Sequence, residues 1–403
     1  MSNKDDIVIV SGVRTPFSKF GGALKEIHST DLGVMVIKES LNRAGLQGED
    51  LDEVYYGMCD QAEAALYDNV NARQAILRAG LPDKLVSLTI DRACCSSLCA
   101  VQLGRRAILL DEADTCMAVG AENMSNTPLL INGHRWGQGM KPLLVQDYLN
   151  PITYREYTPL GRDAGEIAME HGISRDEQDA WALGSHQKWA AADKAGLFND
   201  ELVSVELPSK KGTPVMFMKD ELPRPDTTME ALAKLKTIYG SPTVTAGNAP
   251  GLDAGATAVI IMRRSKAEKM GIKPLATILS VASGAGEPRR MAELPAKVIG
   301  KALERASLKI DDMKIIEINE AFAAVTLVST KMLAGGDETK WREMLKKTNP
   351  NGGAIAIGHP VGASGGRILM TMMYELKRRG GGYGVCGICG GLAQGDAVVL
   401  RVD

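Results

Sequence analysis

The sequence is poor in aromatic side chains: Phe, Tyr and Trp together make up 4 % of its 403 residues. Packing must therefore rest on aliphatic groups, 19 Met and the close backbone approach that 43 Gly permit. An excess of charge is missing too. With 47 Lys and Arg against 49 Asp and Glu the formal charge is −2, and no basic stripe exists to neutralise a phosphate backbone, which argues against a nucleic-acid partner. No apolar run reaches the roughly 18 residues of a membrane helix. The first six residues are polar and lead directly into the strand-like run at 7–10, without the basic start and apolar centre of a secretory leader. These absences point to a cytoplasmic protein with no membrane partner. Seven cysteines, an odd number bunched at 94, 95, 99 and at 386, 389, do not form a disulfide framework in a chain this long. They imply reduced thiols.

What is present is an ordinary globular composition, 45 % hydrophobic and 24 % charged, in a chain long enough for two domains or two similar halves with an insertion. Strand-like runs at 6–10, 54–58 and 85–90 are separated by helical periodicity at 30–44, which Gly45 should stop, and at 69–78. A tight corner at 91–97 then joins the third strand to a helix over 98–110, followed by a strand over 115–119. This is a βαβ unit with cysteines at its corner. From 121 to 243 the pattern loosens around charged helices such as 175–195, as expected of a region inserted over the main body. Beyond 273 a second series follows, with strands at 277–281, 315–318, 383–389 and 396–402 and helices at 294–306, 321–333 and 367–379. The order resembles that of the first half and predicts an internal duplication.

Four segments carry candidate chemistry. Cys94 sits where a strand gives way to a helix, so free N–H groups and the helix dipole should lower its pKa and favour thiolate. His359 lies in the glycine-rich stretch 349–365, where an imidazole could take a thiol proton or polarise a thioester carbonyl. Cys386 and Cys389 form a CxxC, which suits neither a redox pair, having no helix start after it, nor a zinc site, the other cysteines being poorly spaced. Asn319 follows a strand and opens a helix, as a cap or as an amide presented to a ligand.

Together these segments resemble the thiolase family over nearly the whole chain. Arg14-Thr-Pro-Phe-Ser-Lys-Phe-Gly-Gly22, Thr245-Ala-Gly-Asn248, Asn319-Glu-Ala-Phe-Ala323 and the run 351–365 look like its signatures, in the expected order. The resemblance implies an α/β fold of two similar βαβαβαββ halves packed as a five-layered αβαβα core. One half would take 1–120 with 244–272 and the other 273–403; 121–243 would be a loop domain that covers the core and binds coenzyme A. It implies that Cys94 is acylated, His359 is its base and Cys389 the acid that protonates an enolate. One oxyanion site would be His359 with a water held by Asn319, the other the N–H groups of Cys94 and Gly391. Arg224 and Tyr239 would meet the nucleotide of coenzyme A. Ala246, Gly247, Ala321 and Phe322 would line the pantetheine channel. Neither metal nor redox cofactor is implied, and the family forms homodimers or homotetramers, in some cases with an accessory subunit. A ketoacyl synthase-like condensing enzyme is the neighbouring alternative; it should lack the second cysteine.

The sequence departs from the family pattern at Asp91 and Ser97 in the acylation motif, at Pro250, at 159–161, and in the acyl-pocket loop 291–295, which Arg289 and Arg290 precede. A substrate bulkier than acetoacetyl-CoA, or one whose extra carboxylate pairs Arg289, Arg290 or Arg162, is the expectation these changes raise.

Overall fold

The computed structural model describes residues 6–64, 67–149, 156–208 and 213–403; the polar start at 1–5 lies outside them. In the first half, strands β1 (Ile7–Arg14), β2 (Glu53–Gly57), β3 (Val86–Ile90), β4 (Thr115–Asn123) and β5 (Asp253–Arg263) lie in the order β3-β2-β4-β5-β1. The second half supplies β6 (Ala276–Ala285), β7 (Met313–Ile318), β8 (Gly382–Gly390) and β9 (Gln394–Val402), in the order β7-β8-β9-β6. A parallel bridge from Ile316 to Thr348 stands outside β7, where β3 stands outside β2. Pairing directions match as well: parallel between β2 and β4 as between β7 and β8, and antiparallel thereafter in both halves. The duplication expected from the order of elements is thus present in the topology. The halves join where β1 meets β6 antiparallel over three residue pairs.

The hydrophobic clusters explain the layering. One lies between the first half's sheet and the helix Ser29–Ala44, whose Leu32, Val36, Ile37 and Leu41 point inward at helical spacing. That helix ends, as expected, at Gly45, in the left-handed region at φ 68°. A second lies between the other sheet and the helices Leu294–Arg305 and Ala323–Leu333. The third fills the middle, around the helices Ser96–Leu109 and Ser364–Arg378. Ile368, Leu369, Met370, Met372, Met373 and Leu376 are all buried there; each contributes about 2 kcal/mol on leaving water. The five layers are therefore helix, sheet, helix pair, sheet, helix.

Two boundaries differ from expectation for a local reason. The helix after the cysteine corner starts at Ser96 rather than 98, and β4 continues to Asn123 rather than stopping near Gly120. Gly120 lets that strand run beneath both functional loops: a Cβ there would stand 2.4 Å from the Gly362 carbonyl and 2.6 Å from Ser97 Cβ. The stretch between β4 and β5 is tied to β1 by Arg14, fully buried, which donates to Asp220 at 2.6 and 2.9 Å and to Glu201 at 2.7 Å. Among the described residues no helix is long and apolar enough to cross a membrane.

Candidate active site

A cavity of about 1500 Å³ opens between the stretch that joins β4 to β5 and the core, and Cys94, His359 and Cys389 all line it. Three loops converge at its floor. Cys94 sits just before the central helix Ser96–Leu109, in a corner held by local bonds. Ala93, in the left-handed region at φ 47°, donates its N–H to Asp91 Oδ1 at 2.9 Å. Ser96 Oγ accepts from Arg92 N–H at 2.9 Å and donates to the Ala93 carbonyl at 2.7 Å. Ser97, one of the departures from the family pattern, accepts the Gly366 N–H at 2.9 Å and so links this corner to the helix that follows His359. Cys389 comes from β8. A Cβ at its neighbour Gly390 would stand 3.0 Å from both the Arg92 carbonyl and Cys95 Sγ, so this strand end abuts the same corner.

His359 Nε2 lies 3.1 Å from Cys94 Sγ. Its Nδ1 lies 2.6 Å from Ser364 Oγ, which donates to the Pro360 carbonyl at 2.9 Å. With the hydroxyl proton on that carbonyl, the serine oxygen accepts from Nδ1–H, and the Nε2 lone pair faces the thiol. The backbone N–H of His359 donates to Asp253 Oδ2 at 2.6 Å. Burial pushes the Asp253 carboxyl up to about 7.

The electrostatics overturn one expectation. Enclosure by protein, and then the neighbouring Cys389, drive the Cys94 thiol well above its ordinary value, while burial, and then Arg367, push His359 down to about 3. Both shifts favour a neutral thiol beside a neutral imidazole over a standing thiolate, desolvation opposing the helix terminus here. Burial likewise raises Cys389 to about 12, so it keeps its proton. Cys386 and Cys389 lie three apart on one strand and face opposite sides of the sheet, Cys386 in the central core and Cys389 toward the cavity. That separation removes the CxxC as a half-site.

Gly391, Arg224, Tyr239, Ala246, Gly247, Ala321 and Phe322 all line the cavity. Asn319 does not: it is fully buried behind the imidazole, with Nδ2 3.4 Å from His359 Nδ1. The three arginines expected to meet a substrate carboxylate are also off the wall and already paired. Arg162 binds Glu166 at 2.8 Å, Arg289 binds Glu166 and Glu170 at 3.2 and 2.6 Å, and Arg290 binds Glu170 at 2.8 Å and also Glu293. Sequence reading missed Ser364 and Asp253. The first left a signal, a hydroxyl five residues after the histidine at a helix start; the second did not. His186 was missed as well; it lines the cavity and accepts the Arg224 N–H at Nδ1, 3.2 Å away.

A duplicated α/β core whose halves bring a thiol, an imidazole and a second thiol to the floor of a long cavity defines an acyltransferase of the condensing-enzyme class. The chain belongs to the thiolase family: the family model "Thiolase, N-terminal domain" matches residues 7–265 and "Thiolase, C-terminal domain" residues 272–402. It is 41 % identical to an acetyl-CoA acetyltransferase of Syntrophomonas wolfei subsp. wolfei, over 98 % of this chain and 99 % of that one. It is 38 % identical to a beta-ketoadipyl-CoA thiolase of Pseudomonas aeruginosa, with the same coverage. The structure of human mitochondrial 3-ketoacyl-CoA thiolase in complex with CoA superposes with a TM-score of 0.92 at 37 % identity, covering 100 % of this chain and 99 % of that one.

Proposed function

We propose that this thiolase cleaves a 3-oxoacyl-CoA with coenzyme A, or runs the reverse Claisen condensation, through an acyl group carried on Cys94. The 3.1 Å contact between His359 Nε2 and Cys94 Sγ carries the reading. His359 takes the thiol proton as the sulfur attacks the 3-oxo carbon. The bond between the second and third carbons breaks, Cys389 protonates the departing enolate, and the shorter acyl-CoA leaves. Free coenzyme A, its thiol proton passing to Cys389, then takes the acyl group, and the departing Cys94 sulfur recovers its proton from His359. Charge on oxygen is met by donors at His359, with Asn319 behind it, and at the N–H groups of Cys94 and Gly391. Arg224 and Tyr239 at the mouth, with Ala246, Gly247, Ala321 and Phe322 along the wall, suit the coenzyme.

For the acyl chain, a substrate larger than acetoacetyl-CoA fits a cavity that Met124, Tyr148, Leu149 and Met291 help to line. A carboxylate-bearing chain has less support, since Arg162, Arg289 and Arg290 are paired with glutamates. The test is intact-mass analysis after adding acetoacetyl-CoA, 3-oxohexanoyl-CoA or 3-oxoadipyl-CoA without free coenzyme A. Butyryl on Cys94 should accumulate faster than acetyl or succinyl. No adduct from any of the three, or an adduct elsewhere, ends the acyl-enzyme reading; equal rates end the size preference.

Ser364→Ala should slow acylation about tenfold, the worth of one directed hydrogen bond, because the imidazole loses the partner that selects its Nδ1–H form. Stopped-flow release of the first acyl-CoA measures this. An unchanged rate would remove Ser364 from the account. Homo-oligomers are the proposed state: among the described residues β3 is a sheet edge paired only with β2, and it exposes Val86 and Leu88 by 61 % and 50 %.

A further inference from the structure

The buried residues behind the site include one charged pair that stability does not explain. Glu317 on β7 and Arg367 on the central helix Ser364–Arg378 are both fully buried, with 3.5 Å between guanidinium and carboxylate. Neither carboxylate oxygen has a hydrogen-bond partner among the described residues, and neither do Nε and Nη1 of the arginine. Three residues along, Glu320 shows how this chain satisfies a buried carboxylate: it accepts from Trp181, Ser185, Asn349 and the Ile355 N–H, all within 3.0 Å. By that standard the Glu317–Arg367 pair is poorly compensated, and an apolar pair of similar volume would serve the core as well or better.

Among the described residues, the one hydrogen bond that the Arg367 guanidinium makes runs to the site. Its Nη2 donates to Asn319 Oδ1 at 3.2 Å, which turns the amide nitrogen of Asn319 toward His359 Nδ1. A flipped amide would put an oxygen there instead, to compete with Ser364 for the Nδ1 proton. We propose that Arg367, held by its counter-ion Glu317, is a positioning residue that keeps the Asn319 oxygen away from the Nδ1–H that Ser364 accepts, and through that amide sets the orientation of His359. The positive charge of Arg367 also lowers the His359 pKa, in the direction of a neutral base. The other ionisable groups around the imidazole are Cys94 and Cys389 on the cavity side and Asp253 at its backbone N–H. Glu122 meets the same loop through the Gly362 N–H.

This inference rests on the Cys94 acyl-enzyme reading, and the test separates the two. The variant E317M/R367M replaces the pair by apolar groups and should melt no lower than the parent. Its kcat for the fastest-cleaved thioester of the three above should nonetheless fall about tenfold, with KM for coenzyme A changed by less than about twofold. In an Asn319→Ala background the same double replacement should cost nothing further, because it acts through that amide. Arg367→Lys, which keeps a donor and a charge beside Glu317, should stay within about threefold of the parent. Parental kcat in the folded double variant, a loss that multiplies with that of Asn319→Ala, or a lysine variant as slow as Asn319→Ala would each overturn the proposal. Absence of any acyl group on Cys94 in the parent would instead overturn the functional reading beneath it.

Discussion

Replacing Cys94 by alanine should reduce thiolysis on the order of 10⁶-fold, the scale seen when a covalent nucleophile is deleted from a catalytic unit, while the protein stays folded. The size follows from geometry. His359 Nε2 has Cys94 Sγ at 3.1 Å, and with the sulfur gone the imidazole has no thiol to deprotonate. Two other thiols are close, and neither can substitute. Cys95 Sγ turns away toward the Ile388 carbonyl, 3.7 Å off, and is fully buried. Cys389 keeps its proton. The stability cost of losing one sulfur from a site already open on one side should be about 1 kcal/mol, a shift of a few degrees in melting. Cys59, which also lines the cavity, is the control: Cys59→Ala should keep most activity. Residual turnover in Cys94→Ala above about one per cent would mean that the acyl group travels by another route.

The parts of this site that were legible in the sequence are those that announce themselves locally. A cysteine between strand and helix, a histidine in a glycine-rich run and a second cysteine near a strand end each carry their own context, and all three meet in one cavity. What could not be read depends on contacts across long separations. Asp253 meets the His359 N–H across 106 residues, and Glu166 and Glu170 meet Arg289 across 123 and 119. Two adjacent arginines beside a pocket loop therefore looked available for a substrate when they were already neutralised. The thiolate expectation failed for a related reason. A helix start is visible in sequence, but the enclosure by surrounding protein that opposes it is a property of the packed layers. In the fold, the third strand of the second half escaped notice because it has shrunk to the single bridge between Ile316 and Thr348. Period-two alternation cannot report a strand of one pair.

Cys389 supports the second large prediction, which concerns selectivity rather than loss. Burial raises this thiol to about 12, so it holds a proton at neutral pH, and on the proposed reading it gives that proton to the departing enolate. In the proposed reaction, breaking the carbon–carbon bond needs it, since an enolate must be protonated as it leaves. Exchange of the acyl group between a simple acyl-CoA and free coenzyme A should not, since in the proposed reaction it passes only through Cys94 and His359. Cys389→Ala should therefore lose thiolysis of 3-oxohexanoyl-CoA by about 10³-fold, a typical contribution for one general acid. Exchange of labelled coenzyme A into butyryl-CoA should stay within about tenfold of the parent. Cys389→Ser, with a hydroxyl several pKa units weaker as an acid, should resemble the alanine variant rather than the parent. The two assays run on one preparation, so misfolding would lower both together. A parallel loss of exchange and thiolysis in a folded variant would place Cys389 in the acylation step and require a different source for the enolate proton.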